Sequence, residues 1–266
     1  VGIPTTKEFA MARPNGVVLY RGKGFDGTPV VAIAIFGESS NSKTGGMIQV
    51  HILCDNGESP YEAVKSNGDT AICDGCALKG IAWKMRGCYV NVATGPNAVW
   101  NCYMNGGYPD YVRTVHDEYF KGREIRWGAY GEPVLIPLPL MSHICDLSSG
   151  WTGYTHHWHE ARYRAYRRYL MASTHTIEEC RQAVSYGWRF FKSANEHTAE
   201  DIAELRSITP CFNCPASKEQ GHRLQCFECL ACDGMFRTTT QPASVWIDTH
   251  GGLGVMHTSK HIAVLN

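Results

Sequence analysis

From residue 123 onward the chain alternates short apolar runs with amphipathic stretches, and this limits its fold more than any other feature. "EIRWGAYGEPVLIP" opens with a strand-like piece, and "LPLMSHICDLSS" continues with helical character. "WTGYTHHW" reads as a strand, "EARYRAYRRY" as a helix, "LMAST" as a strand and "HTIEECRQAVSYG" as a helix. In that last helix Thr176 is the expected N-cap, Glu179 its capping-box partner and Gly187 the terminator. "WRFFKSA" and "ASVWIDTHGG" complete the series. Strands alternating with helices argue for βαβ units and parallel pairing. The expected fold is α/β, a parallel (β/α) barrel or partial barrel with cysteine-rich loop insertions. No GxGxxG comes after any strand, so a dinucleotide fold gains no support. In such barrels the loops after the strands carry the site. Here those loops hold "GAYGEP", "THHWHE", "STHT" and a cysteine-rich segment.

The first part of the chain has a different texture. "PVVAIAIFG" (Pro29 to Gly37) and "MIQVHIL" are strand-like runs separated by the polar loop "ESSNSKTGG". Beyond the second run, as far as residue 122, the chain is rich in Gly, Asn and Cys and reads as loops around a site. With no repeat and no linker, the reading is one domain over 1–266: an irregular part, 1–122, and a βα part, 123–266. Apolar residues make up 44 % and charged residues 19 %, enough to build a core and too apolar for disorder. Lys plus Arg equals Asp plus Glu, 25 each, which gives no global pull toward nucleic acid or membrane. No apolar run is long enough for a membrane span. "VGIPTTKEFAMARPNG" lacks a leader pattern and an initiator Met, so a trimmed start and a cytoplasmic setting are expected.

The 12 cysteines are the chemical signal. Disulfides suit small secreted scaffolds with poor cores, whereas tight CxxC spacing in a larger chain points to metal or redox chemistry. Two groups stand out: Cys73, Cys76 and Cys88 in "CDGCALKGIAWKMRGC", and Cys211, Cys214, Cys226, Cys229 and Cys232 in "CFNCPASKEQGHRLQCFECLACDG". Thiolates select zinc or iron–sulfur clusters. Zinc would be met by two CxxC pairs, Cys211/Cys214 with Cys226/Cys229, leaving Cys232 idle. Cys226-x2-Cys229-x2-Cys232 with the remote Cys214 before Pro215 matches ferredoxin-type ligation and uses the residues more fully. One or two clusters of the 4Fe-4S type are therefore expected, with Zn the alternative. The first group, with three cysteines, would leave one iron open, unless Cys54, Cys102 or a histidine completes the shell. Cys145 and Cys180 sit in helix-like stretches and read as packed core thiols.

Other residues add weaker signals. Lys43 in "NSKTGG" lacks the glycine placement of a Walker loop, and is weighed as an anion-binding point charge against a plain turn. Asp248 and His250 would share a strand face as an acid–base pair. Glu132 comes after a strand in a Gly-rich turn, where it could bind a cofactor amine or only shape the turn. In a strand His157 and His159 would face one side and His156 the other, a weak metal or proton-transfer signal. On a helix Arg164 and Arg168 would form one stripe beside Tyr166 and Tyr169, suited either to nucleic acid or to covering apolar surface with arginine stems.

Taken together, "SSNSKTGGMIQVHIL", "CDGCALKG", "RWGAYGEP", "GYTHHW", "MAST", "CPAS", "CFECLACDG" and "IDTHGG" resemble a family of uncharacterised bacteriophage gene products. Their order is also similar to that of radical-SAM-like barrel proteins of phages and plasmids. The resemblance spans about residues 18 to 253. It implies a barrel, a cluster on three cysteines and S-adenosylmethionine on the open iron, in a host bacterial cytoplasm or a virion. The usual spacing there is CxxxCxxC, from which Cys73-x2-Cys76 with its long gap to Cys88 departs. The leading expectation is an iron–sulfur redox or radical-type enzyme with one closed and one open cluster. Its competitors are a metal-stabilised nucleic-acid-binding protein and a structural phage component without catalysis.

Overall fold

The computed structural model describes residues 13–39, 43–82, 84, 86–217, 221, 224–235 and 243–248. Ten strands lie within them: β1 (Gly16–Lys23), β2 (Pro29–Ile35), β3 (Ile48–Cys54), β4 (Glu124–Tyr130), β5 (Gly150–Thr152), β6 (Tyr154–Thr155), β7 (Met171–Thr174), β8 (Phe190–Ala194), β9 (Cys211–Asn213) and β10 (Ser244–Asp248). The helices are α1 (Pro60–Ser66), α2 (Thr70–Cys73), α3 (Gly95–Met104), α4 (Arg113–His116), α5 (Leu138–Leu147), α6 (Ile177–Ser185), α7 (Ala199–Ile208) and α8 (Cys226–Cys229).

The strands form two five-stranded ladders, β1-β2-β3-β4-β5 and β6-β7-β8-β10-β9. Every pairing in the second ladder is parallel. The first ladder is mixed. β2 runs antiparallel to both β1 and β3, while β3, β4 and β5 are parallel. The α/β expectation with a parallel sheet therefore holds, but no closed barrel forms among the described strands. The reason is local: a short turn joins β1 to β2, and such connections make antiparallel neighbours rather than crossovers.

The ladders meet at Gly153, between β5 and β6. "WTGYTHHW" is thus two short strands and not one. Gly153 accepts a hydrogen bond from the Met171 N–H at 3.0 Å and donates its own N–H to the Cys232 carbonyl at 3.1 Å. A Cβ there would stand 2.5 Å from Leu170 Cδ2 and 2.9 Å from Trp127 Cβ, so glycine permits this close approach.

The main core gathers β1 to β4 with the helices covering them and includes Trp127, Trp151, Phe120 and Ile33, all almost fully buried. Cys145 and Cys180 lie in it, as expected of core thiols. On the second ladder Phe190, Ala172 and Trp246 join this core together with Cys180, Ala183 and Leu205 of α6 and α7. A smaller apolar cluster unites Met171, Val245 and Cys232, with Tyr154, Phe191, Phe212 and Cys214 packed against it. The ring centroids of Tyr154 and Phe191 lie 4.4 Å apart.

Two local expectations change. "ARYRAYRR" (Ala161–Arg168) is a 3-10 helix, whose three-residue turn aligns Tyr163, Tyr166 and Tyr169. Tyr166 and Tyr169 are buried while Arg164 and Arg168 are exposed. The segment from 55 to 122 is also more regular than its Gly and Asn content suggests, since it holds α1 to α4. The capping box of α1, Ser59 with Glu62, and Pro60 in its first turn account for that helix start.

Candidate metal centres

The first cysteine group is built on the loop after β3 and α1. Cys73 ends α2, and the Cys76 N–H donates to the Cys73 carbonyl at 3.3 Å, making the CxxC turn. Gly75 sits in this turn with φ +71 and lies against the His157 ring. His157 stacks on Phe25 at 4.0 Å, and its Nε2 meets the Asp74 carbonyl at 2.9 Å. His157 therefore braces the turn, and its Nδ1 is taken by Glu160. Residues 157–159 form a 3-10 turn rather than a strand, so His157 and His159 are not paired on a strand face.

The return of the loop is held by charge. Asp69 is buried, and it pairs with Lys79 at 3.2 Å and with Arg86 at 3.3 Å. The loop after β4 docks on the same place, the Glu132 N–H donating to the Ile72 carbonyl at 2.8 Å. Gly131 makes this possible, because a Cβ there would stand 2.8 Å from Ile52.

Glu132, a candidate cofactor ligand by sequence, faces its own chain. It is 4 % exposed; one oxygen accepts from Thr155 Oγ1 at 2.8 Å, and the other from the His156 N–H at 3.1 Å and meets Nδ1 at 2.6 Å. Burial works against its ionised form, and the His156 and His157 partners outweigh it and lower its pKa. His156 itself lies beside Cys76, and its ring stacks near His175 at 5.7 Å. Burial disfavours the charged ring, while Cys76 and Glu132 more than compensate and raise its pKa. Burial drives the Cys73 thiol well up, reinforced by Cys76 and Cys88; the Cys88 thiol rises likewise, with Cys76 the next cause. The three cysteines thus lie within electrostatic reach of one another.

Of the other residues weighed for this group, Cys54 donates its thiol toward the Gly68 carbonyl at 3.6 Å, and Cys102 neighbours Tyr108.

The second group lines a cavity against the second ladder. Cys214, Cys226, Cys229 and Cys232 share its wall with Tyr154 and Val245. The strand hydrogen bonds continue into Cys214, whose N–H donates to the Trp246 carbonyl at 2.8 Å. Cys226 opens α8, and its N–H donates to the Lys43 carbonyl at 2.7 Å. Lys43, singled out in a polar loop, is thereby brought to this cysteine group through its backbone. The loop after Cys229 is clamped by the buried Arg189, which donates to the Ala231 and Gly234 carbonyls and pairs with Asp233 at 2.9 Å. Burial raises the Cys214, Cys229 and Cys232 thiols above the usual range.

Cys211 is not a member. It packs against the main core while Cys214, Cys226, Cys229 and Cys232 line the cavity. Among the described residues no three or more His, Cys, Asp or Glu side chains are arranged to hold a single metal ion.

Arg126 of β4 connects the two groups. Its buried guanidinium donates to the Tyr89 hydroxyl at 2.7 Å, next in sequence to Cys88, and lies 5.0 Å from the Tyr154 ring centroid. Burial opposes its charge, and Tyr89, Tyr154, Cys226 and Cys232 overcome this to hold it cationic. Nothing in the local sequence marked Arg126, Arg189 or the pairing of Glu132 with His156.

Asp248 engages His197, a histidine the sequence had not linked to it. Its carboxylate accepts from the His197 N–H at 3.0 Å and meets Nδ1 at 2.7 Å, while His197 Nε2 stands 3.2 Å from Lys192 Nζ. His250 lies outside the described residues. Lys192 and His197 are buried, and burial lowers the pKa of each. Arg164 lies over the Tyr186 ring and Arg168 over Tyr169, so both guanidinium groups have aromatic partners within the chain. No helix of the described residues is long and apolar enough to cross a membrane. Neither the family models, nor the curated proteins, nor the solved structures contain a match to this chain.

Proposed function

We propose that the protein is an iron–sulfur redox protein with two centres. Cys214, Cys226, Cys229 and Cys232 hold a closed one, and Cys73, Cys76 and Cys88 hold a second with one position not filled by cysteine. The observation that carries this reading is the single cavity lined by all four cysteines of the second group, drawn from two separate segments. A close triple of cysteines with a remote fourth on one cavity wall supports a polynuclear group, which uses all four thiols. An iron–sulfur centre, when bound, supplies one-electron transfer, tuned by nearby charge, hydrogen bonds and solvent exposure.

The chain's own residues would tune such centres differently. Tyr154 and Val245 keep water from the second, and the Arg126 cation beside Cys226 and Cys232 offsets thiolate charge. At the first, Glu132 and His156 supply a polar wall. Partial-barrel geometry and the radical-type chemistry of the phage-like resemblance belong to the same proposal. A nucleic-acid role draws no support from Arg164 and Arg168, whose stems cover aromatic surface of their own chain.

Anaerobic purification with iron and sulfide analysis, then electron paramagnetic resonance of the reduced protein, tests this. Iron and sulfide in near-equal amounts are expected, with loss of one signal in Cys229→Ser and of the other in Cys73→Ser. A colourless protein carrying zinc alone, even after anaerobic reconstitution, would overturn the proposal.

A further inference from the structure

The coordination position that cysteine leaves vacant in the first group has a specific neighbour. Three histidines stand together in "THHWH", and the structure separates them sharply. His159 is exposed. His157 has both ring nitrogens committed, to Glu160 and to the Asp74 carbonyl. His156 has Nδ1 against the Glu132 carboxylate at 2.6 Å, while its Nε2 is sealed from solvent without a hydrogen bond of normal geometry. The group beside the ring on the cysteine side is the Cys76 thiol.

Sealed from solvent, Nε2 is directed at the first cysteine group, where the Cys76 thiol is its neighbour. The Glu132 contact also determines the form of the ring. A carboxylate on Nδ1 holds a proton there and aims Nε2 away from Glu132, so that a metal replacing the Nε2 proton would meet its lone pair. This is the arrangement by which metal-bound histidines are oriented, with the second nitrogen donating to a carboxylate. Glu132 is itself fixed by Thr155 Oγ1 and by the His156 N–H, so the ring's direction is set by three contacts.

We propose that His156 is the fourth protein ligand of the first centre, binding through Nε2 beside Cys73, Cys76 and Cys88, with Glu132 as its orienting carboxylate. The proposal rests on the reading that these three cysteines hold a centre. It gives the first centre a mixed thiolate and imidazole shell, against the all-thiolate shell of the second. It also means that the first centre rests closed by protein, and that an external ligand enters only by displacing an imidazole.

The test uses the full chain, reconstituted anaerobically with iron and sulfide, reduced, and examined by pulsed electron paramagnetic resonance. A hyperfine coupling from a directly bound nitrogen is expected in the wild-type protein. It should change isotope when the histidines are labelled with heavy nitrogen, and vanish in His156→Ala. His156→Cys should keep the iron but lose the coupling, which separates a ligand role from a folding defect. Glu132→Gln should weaken iron binding at this centre by roughly 10–100-fold while the second centre stays loaded. A wild-type protein with both centres loaded and no histidine coupling would overturn the assignment of His156 alone. Iron content unchanged in Cys73→Ser would instead overturn the first centre itself, and the ligand proposal with it.

Discussion

Cys73, Cys76 and Cys88 share their surroundings with a buried carboxylate and an imidazole, whereas Cys214, Cys226, Cys229 and Cys232 share theirs with Tyr154, Val245 and Leu230. The same residue type is thus set in a polar frame on one side and an apolar one on the other. The frames are also supported by different means. A triad of charges, Asp69 with Lys79 and Arg86, holds the loop of the first group. Carbonyl groups gathered by Arg189 hold the loop of the second. In the centres proposed above, a polar frame would let other donors complete the shell, while an apolar frame would have to supply every ligand as cysteine.

The contrast breaks most visibly at Asp69. Asp69→Asn strands two buried cations and should cost about 3–5 kcal/mol in urea unfolding, with iron lost from the first group and kept by the second. Equal loss from both would show that the frames are not independent.

Acid should act first on the mixed ladder. His51 of β3 is buried, and burial lowers its pKa from 6.5 to about 4. The folded protein therefore resists binding a proton that the unfolded chain takes up near pH 6.5. Its contribution is complete above pH 6.5 and is lost as pH falls toward 4, by about 3 kcal/mol over that window. Denaturant midpoints measured across this range should show the slope, and His51→Leu should flatten it.

Gly153→Ala reverses the Asp69 experiment. The added Cβ crowds Trp127 and Leu170 and disturbs the N–H that binds the Cys232 carbonyl. A loss of about 1–3 kcal/mol is expected, with the second group's iron affected before the first's. Thr176→Ala serves as the smallest and most neutral change. It removes the N-cap of α6 and should cost about 1 kcal/mol with both groups unchanged in metal content.

What was legible in the sequence was mainly what is local. The Thr176–Glu179 capping box is present as read, because its partners are three residues apart and the contact depends on helix geometry alone. The close triple Cys226, Cys229 and Cys232 was equally readable, and the remote Cys214 joins it at the cavity. Glu132 and His156 lie 24 residues apart and meet only because the loop after β4 returns beside β6. No spacing rule anticipates such a pairing. Arg126 was hidden for a different reason: a charged residue within a strand reads as an outward-facing position until the fold shows it buried. The antiparallel β1 and the helix α1 were missed although Ser59, Pro60 and Glu62 carried a start signal for the helix; the surrounding Gly and Asn drew the reading toward loops.

The ion triad at Asp69 bears on how the protein would mature. The loop's return is fixed by protein groups, the triad together with the Gly87 N–H donating to the Leu78 carbonyl at 3.0 Å, so the surroundings of Cys73 and Cys88 owe their shape to the chain itself. On the proposed reading, a carrier delivering iron and sulfide would meet a finished berth on an already folded molecule. Maturation at that end would then be a late transfer step, separable in time from synthesis of the chain.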